Sequence, residues 1–356
     1  MRYKLLIYSL LIFVFYSACK TNRIGAKSTQ FKSGSEKIML TASLFAELPE
    51  YCPTPDALEI APDGSLTLSC PNYADKSLPP VLMRIDANGL VKKLTTIPGL
   101  TDSTFARPVG LAYAPDGSLF VCDNQGKQQG RILRLTFNAN ILQTTEVVAY
   151  GLNSPNGIRY YKGSIYVTQP QLPKFKTKKL TSAVYRFNEA DRNIMINNDS
   201  TDINLIFTTQ TQNPERQFGL DGLVFDKKGN LLVGDFGDAT IFKLKLDENA
   251  KVIQKQVFAQ LPNNAGIDGM CFDSDDNLYV VGFSQNEVFK ISPQNKISLI
   301  AHYPDNDGSN GIDQPADIIV FGKKLIISNF DLMVQKGMLN SEHGKPYTLS
   351  FIKLKD

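Results

Sequence analysis

Apolar and polar positions alternate in short blocks along most of the chain, and the clearest block is Ala265–Ser284, AGIDGMCFDSDDNLYVVGFS. Apolar Met270–Phe272 and Leu278–Val281 flank a polar turn at Asp273–Asn277, and the pattern continues through Glu287–Ile291 and Lys296–Ile300. Short apolar or alternating runs bounded by Gly, Asp and Asn predict strands joined by tight turns. Four such strands form one antiparallel sheet whose faces and edges need cover.

The same inner hairpin recurs at Asp56–Leu66, Val109–Leu119, Asn156–Gly163, Asp221–Asn230 and Ala316–Gly322. The leading residues, Asp56, Val109, Asn156, Asp221, Asp268 and Ala316, are spaced by 53, 47, 65, 47 and 48 positions. A period near fifty with four strands per unit predicts a β-propeller. The turn pairs Asp-Gly and Lys-Gly supply the left-handed residues that tight hairpins require. The long spacing is assigned to surface insertions at Pro170–Thr181 and Asp191–Asp199.

Outer strands set the blade count. Third strands are expected at Val81–Ile85, Arg131–Leu135, Ala183–Phe187, Thr240–Leu244, Glu287–Ile291 and Thr348–Leu354. Fourth strands are expected at Val91–Ile97, Thr144–Tyr150, Asn204–Thr208, Gln254–Ala259 and Lys296–Ile300, one too few. Met39–Leu48, MLTASLFAEL, belongs to no hairpin and is apolar enough to supply the missing strand. Its addition to the C-terminal blade closes the ring and removes the open edges. The expectation is an all-β, six-bladed propeller occupying residues 38–356 as one domain, with four antiparallel strands per blade and little helix.

Composition narrows the chemistry. A formal charge of +3, from 38 basic and 35 acidic residues, offers nothing to nucleic acid, and the densest basic run, Lys174–Lys179, reads as a solvated loop. With only His302 and His343 in the whole chain, a Ser-His pair or a His-rich metal site is not expected.

The first eighteen residues read as an export signal. Arg2 and Lys4 precede an apolar segment, Leu5–Tyr16, too short to span a bilayer comfortably. Tyr16-Ser17-Ala18-Cys19 resembles a bacterial lipobox, with Tyr16 where an aliphatic residue is usual. That resemblance implies lipidation of Cys19, a polar tether over 19–37, and a lipid-anchored protein of the bacterial cell envelope. Without lipidation of Cys19 the protein is secreted or periplasmic. Export permits disulfides, and Cys52 and Cys70 flank one hairpin and could pair. Cys122 and Cys271 lie in apolar strands and read as buried thiols.

The inner strand of each blade lines the central channel, so the six leading residues converge at one mouth. Three carboxylates, Asp56, Asp221 and Asp268, and the carboxamide of Asn156 would meet there. Such a set repels itself when empty and suits a hard divalent cation; Ca²⁺ takes oxygen ligands at roughly 2.3–2.6 Å. The glycines at 157, 222 and 269 leave space for close approach beside three of these groups.

These repeats resemble the senescence-marker protein / gluconolactonase / luciferin-regenerating enzyme family of six-bladed propellers. In order, that family carries an early Glu, then Arg-x-Asn-Asp-Gly, Pro-Asn-Gly and Asp-Gly-Met-Cys. Here the matching positions are Asp56, Arg107–Gly110, Pro155–Gly157 and Asp268–Cys271. The resemblance implies divalent-metal ligation by Asp56, Asn156 and Asp268 and substrate contact by Arg107. Asp stands in place of Glu at the first position, with Glu59 as a weaker substitute, and Val109 stands in place of Asn in the second motif. Asp221-Gly222 is an additional acid–glycine pair that competes with Asp268 or adds to the site. Arg159 is a further, weaker substrate candidate.

The leading functional expectation is an exported, monomeric, Ca²⁺-dependent hydrolase of sugar lactones or related esters. The metal polarises the carbonyl, and Asp268 accepts a proton from the attacking water. Its partner is a small-molecule substrate, not nucleic acid, and any membrane contact is through the lipid alone. The alternative is a non-catalytic propeller that binds a glycan, peptide or protein at the cell surface. A lyase on the same scaffold would need a histidine at the mouth, where none is expected.

Overall fold

The computed structural model describes residues 29–31, 38–101, 103–175, 177–305 and 311–354. The expected signal at 1–18, Cys19 and most of the 19–37 tether lie outside them. Six antiparallel sheets follow one another around the molecule as the blades of a propeller. Blade 1 comprises Leu58–Ile60, Leu66–Cys70, Val81–Ile85 and Val91–Thr95; blade 2 comprises Pro108–Tyr113, Leu119–Asp123, Gly130–Asn138 and Ile141–Leu152. Ile158–Tyr161, Ser164–Gln169, Thr181–Asn188 and Leu205–Gln210 form blade 3. Blade 4 is built from Leu220–Phe225, Leu231–Asp235, Thr240–Leu246 and Val252–Gln260; blade 5 from Ile267–Phe272, Leu278–Gly282, Glu287–Ile291 and Ile297–His302. Blade 6 takes Pro315–Phe321, Lys324–Asn329 and Thr348–Lys353 from the C-terminal end and Ala42–Glu47 from the N-terminal end.

The ring closes as the strand count requires. Ala42–Glu47 runs antiparallel to Thr348–Lys353, with Ala42 opposite Ile352 and Glu47 opposite Thr348. Upstream, the chain binds two other blades first. Thr29 and Gln30 pair in parallel with Ala259 and Gln260 on the edge of blade 4. The backbone N–H groups of Ile38 and Leu40 then donate to Leu299 and Ile300 on blade 5 at 3.0 and 2.7 Å. Part of the expected tether is therefore fixed to the ring.

Burial grades outward within each blade. The second strands LTLSC, LFVCD, LLVGD and LYVVG are buried throughout, because neighbouring blades cover both faces. This explains why they read as continuous apolar runs, whereas outer strands such as VKKLT are mixed and partly exposed. The hydrophobic interior is divided accordingly into a cluster at each seam between adjacent blades. A separate cluster, built around Phe236, Phe283 and Phe330, sits at one end of the central channel.

Hairpin turns carry the expected chemistry. Gly64, Gly117, Gly163 and Gly229 have φ of +80°, +84°, +77° and +78°. Asp63, Asp116, Asp226 and Asp273 each accept backbone N–H groups within their own turns. The second insertion does more than lie on the surface. Ile194–Met195 pairs in parallel with Ala149–Tyr150 and joins blade 3 to blade 2. Cys52, Cys70, Cys122 and Cys271 are buried free thiols. Cys52 and Cys70 are neighbours in the core between blades 6 and 1, so the pairing open to them is not made here.

Candidate functional site

The glycines after the leading residues explain how the channel is built. A Cβ on Gly110 would lie 2.2 Å from the carbonyl oxygen of Asn156, and one on Gly157 would lie 2.5 Å from that of Asp221. On Gly222 it would come within 2.0 Å of the Asp268 carbonyl oxygen. On Gly269 it would meet Asp317 Oδ1 at 2.2 Å. Each glycine thus admits the inner strand of the next blade, so these acid–glycine pairs are not turns. Register breaks accompany them at Leu220/Leu223, Ile267/Met270, Pro108/Leu111 and Pro315/Asp317. Such bulges redirect a side chain that regular pleating would turn elsewhere.

All six leading residues line one cavity of about 600 Å³. Asp221 is buried, while Asp56, Asn156 and Asp268 are half-buried and face the same space. Burial, then the charge of Asp317, pushes the Asp56 carboxyl up to about 8. Burial raises Asp221 and Asp268 well above the usual carboxylate range, and neighbouring acids add to both effects. Among the described residues, no hydrogen bond or cation opposes these rises. The backbones are held instead: Thr168 Oγ1 donates to the Asp221 carbonyl at 2.6 Å, and Ser328 Oγ donates to that of Asp56.

The donor set fits a hard cation in chemistry: three carboxylates without compensating partners and one carboxamide, at a shared cavity floor. It is not drawn to one point as it stands. Among the described residues, no three His, Cys, Asp or Glu side chains form a ready-made metal cluster.

Below this ring the channel narrows to about 30 Å³ and is bordered by Arg159 and Asp317. Asp317 Oδ2 accepts the Leu58 N–H at 2.9 Å across the seam between blades 6 and 1, and Oδ1 accepts from Ile318. Burial raises the Asp317 pKa, and the nearby Arg159 charge opposes that rise. Arg159 also donates to the Ile158 carbonyl at 2.8 Å. It lies beneath the carboxylates and not at the mouth, and Glu59 shares its neighbourhood. Burial raises the Glu59 carboxyl to about 7, and its Oε1 accepts the Ile60 N–H.

Arg107 is not among the residues lining the cavity. It borders a neighbouring surface groove, and its guanidinium sits 5.6 Å from the centre of the Tyr73 ring, which does line the cavity. Neither histidine reaches the cavity wall: His302 ends the outer strand of blade 5, and His343 stacks on Tyr347.

A second storey surrounds the mouth. Tyr73, Asn124, Pro170, Phe236, Phe283 and Phe330, one from each blade, follow the second strands and line the same cavity. The inner-strand repeat does not point to this layer, although a signal is present: Phe immediately follows the buried strand in GDF236, VGF283 and SNF330. Nor does the repeat point to Arg216. Its guanidinium lies 5.7 Å from the Phe236 ring centre, Nη2 donates to the Gly337 carbonyl at 3.0 Å, and Nη1 is buried without a partner.

The sequence profile described as "SMP-30/Gluconolactonase/LRE-like region" matches residues 80–307, more than half of the chain. The chain belongs to this family. A search of curated proteins returns no match. Among solved structures, a gluconolactonase from Xanthomonas campestris is similar, with TM-score 0.55 and 16% identity over 94% of this chain and 99% of its own. Regucalcin from Agrobacterium tumefaciens, described as a calcium-binding protein, gives TM-score 0.59 and 11% identity over 90% and 97%. Virginiamycin B lyase from Staphylococcus aureus gives 0.53 and 15% over 86% and 83%. At these identities the likeness is one of fold, and that fold carries more than one chemistry.

Proposed function

We propose that this family member is a divalent-metal-dependent hydrolase of lactones or related esters, with Ca²⁺ as the metal. The observation that carries the reading is the set of unpartnered carboxylates, Asp56, Asp221 and Asp268, beside Asn156 on the floor of one cavity. These four residues would hold the cation. When bound, it supplies Lewis-acid polarisation of the substrate carbonyl.

The remaining chemistry falls to the chain itself. Asp268 accepts a proton from the attacking water through a carboxylate oxygen. Water oxygen bonds to the carbonyl carbon, the ring or ester C–O bond breaks, and the released alkoxide takes up a proton, giving a hydroxy acid or an acid and alcohol. Phe236, Phe283 and Phe330 limit solvent around the reacting group. Proton transfer by histidine is absent from this scheme, because neither His302 nor His343 lines the cavity.

Melting temperature in EDTA and with added Ca²⁺, together with acid release from a lactone panel, tests the proposal. Ca²⁺ should raise the melting point, and Asp268→Ala should abolish both that rise and hydrolysis while the fold persists. No metal-linked shift would sink the calcium site. Retained hydrolysis in Asp268→Ala would remove Asp268 from the chemistry. The absence of a preassembled cluster favours a second reading, a propeller that binds its ligand without turning it over. Ligand binding without acid release from any lactone or ester would establish that alternative. Export and lipid anchoring through Cys19 complete the proposal.

A further inference from the structure

Part of the cavity wall is aromatic, with Glu215, Arg216, Gln335 and Lys336 beside it. From blade 4 round to blade 1 it is an arc of aromatic rings: Phe218 to Phe236 at 5.0 Å, Phe236 to Phe283 at 5.7 Å and Phe283 to Phe330 at 5.8 Å between centroids. Tyr73 continues the arc 6.2 Å from Phe330. Arg216 lies over Phe236 and Arg107 over Tyr73. The 330–347 loop thickens the apolar side, where Leu332, Met333 and Met338 pack against the rings. That loop is pinned across the mouth, since Gln314 Oε1 accepts from Leu332 and Met333 and Gly337 accepts from Arg216 and Gln285. Polar side chains lie on the other side, at Asn153 and Ser154 of the approach to blade 3, and Asn153 Oδ1 accepts the Gln128 N–H. The Tyr73 hydroxyl is already spent on Asn124 Oδ1 at 2.8 Å.

Each hydroxyl of a polyhydroxylated sugar ring loses water on entering such a cavity and needs a replacement partner. The ring and thioether surfaces of the arc offer none, and beside them Arg216 Nη1 is a buried donor without a partner among the described residues. An apolar body, by contrast, gains from the exposed Phe218 ring, the partly buried Leu332 and Met333 and the edges of Phe236, Phe283 and Phe330 that reach the cavity, and 600 Å³ is ample for one beyond the reacting group. We propose that the ligand of this cavity is an ester or lactone bearing a bulky aryl or alkyl substituent, which lies along the Phe236–Phe283–Phe330 arc with its carbonyl over the carboxylate floor. The inference rests on the proposed hydrolysis for the reacting group, and on the cavity wall alone for the body attached to it. It revises the sugar-lactone expectation towards an apolar substrate.

Lactams separate binding from turnover, because they present the same ring and carbonyl yet resist hydrolysis. The full-length protein with Ca²⁺ is titrated calorimetrically with a phenyl-substituted γ-lactam, the unsubstituted γ-lactam and gluconolactam. The phenyl compound should bind about tenfold or more tighter than either other probe. Phe283→Ala should weaken it roughly five- to tenfold and leave gluconolactam unchanged. Phe283→Leu, which keeps an apolar side chain of similar bulk, guards against a folding defect and should show a smaller loss in the same direction. Gluconolactam binding as tightly as the phenyl compound, or an undiminished phenyl preference in both variants, would overturn the inference. Preferential binding of the phenyl lactam with no hydrolysis of the matching lactone would support this ligand class and sink the hydrolase reading.

Discussion

Asp56, Asp221 and Asp268 carry an electrostatic cost that nothing among the described residues offsets, and this makes pH the most direct probe of them. Asp56 is raised from an ordinary 3.8 to about 8 by burial and by Asp317. Between those values the folded state holds a proton that the unfolded chain has released. Its contribution to stability is therefore complete below the unfolded pKa and lost as pH rises through the folded one. The metal-free protein should melt at progressively lower temperature from about pH 5 to about pH 9, with Asp56→Asn flattening part of that slope. Saturating Ca²⁺ should reduce or reverse the trend, because metal binding releases the same protons and tightens as pH rises. A melting temperature in EDTA that ignores both pH and Asp56→Asn would refute the raised carboxylates. Asp317 has a different duty. Asp317→Asn keeps an acceptor for the Leu58 N–H but leaves Arg159 facing one less negative charge. It should cost about 1–3 kcal/mol in denaturant unfolding while the calcium-linked melting shift survives.

Close approach at the inner strands is a property of paired elements, and one variant separates it from ordinary turn chemistry. Gly222 has no room for a methyl group, since Asp268 backbone atoms stand 2.0 and 2.9 Å from its Cβ position. Gly222→Ala must push blades 4 and 5 apart, for a loss of about 3 kcal/mol and a weakened calcium response, because Asp221 and Asp268 ride on those strands. Gly64→Ala meets open space and strains only a backbone φ of +80°, so about 1–2 kcal/mol is expected with the calcium response intact. Urea unfolding with and without Ca²⁺ distinguishes the two. Equal losses, or an intact calcium response in Gly222→Ala, would contradict the role given to the inner-strand glycines. The strand hairpins were legible because their turns and apolar runs are local. The bulges that aim Asp221 and Asp268 were not, because they exist only where two blades press together.

At the scale of the whole molecule, closure joins residues three hundred positions apart. Phe45 on the closing strand packs edge-on against Phe321 and Phe351 at 6.4 Å and receives Lys324 over its face. Phe45→Ala should cost about 3–5 kcal/mol, and the loss should show as early opening of blade 6 in hydrogen exchange. A loss confined to residues near 45, with Thr348–Lys353 still protected, would mean that the ring does not depend on this strand. The blade number, the ring closure and the six leading residues followed from the repeat alone, since each blade is a local hairpin pattern and the counting of strands leaves one answer. What the chain order could not convey was depth. Arg159 and Asp317 lie below the ring, Arg107 stands behind Tyr73, and the aromatic storey rises above it, because height along the channel depends on bulges and blade tilt. Asp268 was visible in the sequence as the leading residue of a repeat. Tertiary packing alone decided that it shares a cavity floor with two other uncompensated acids under a wall of phenylalanines.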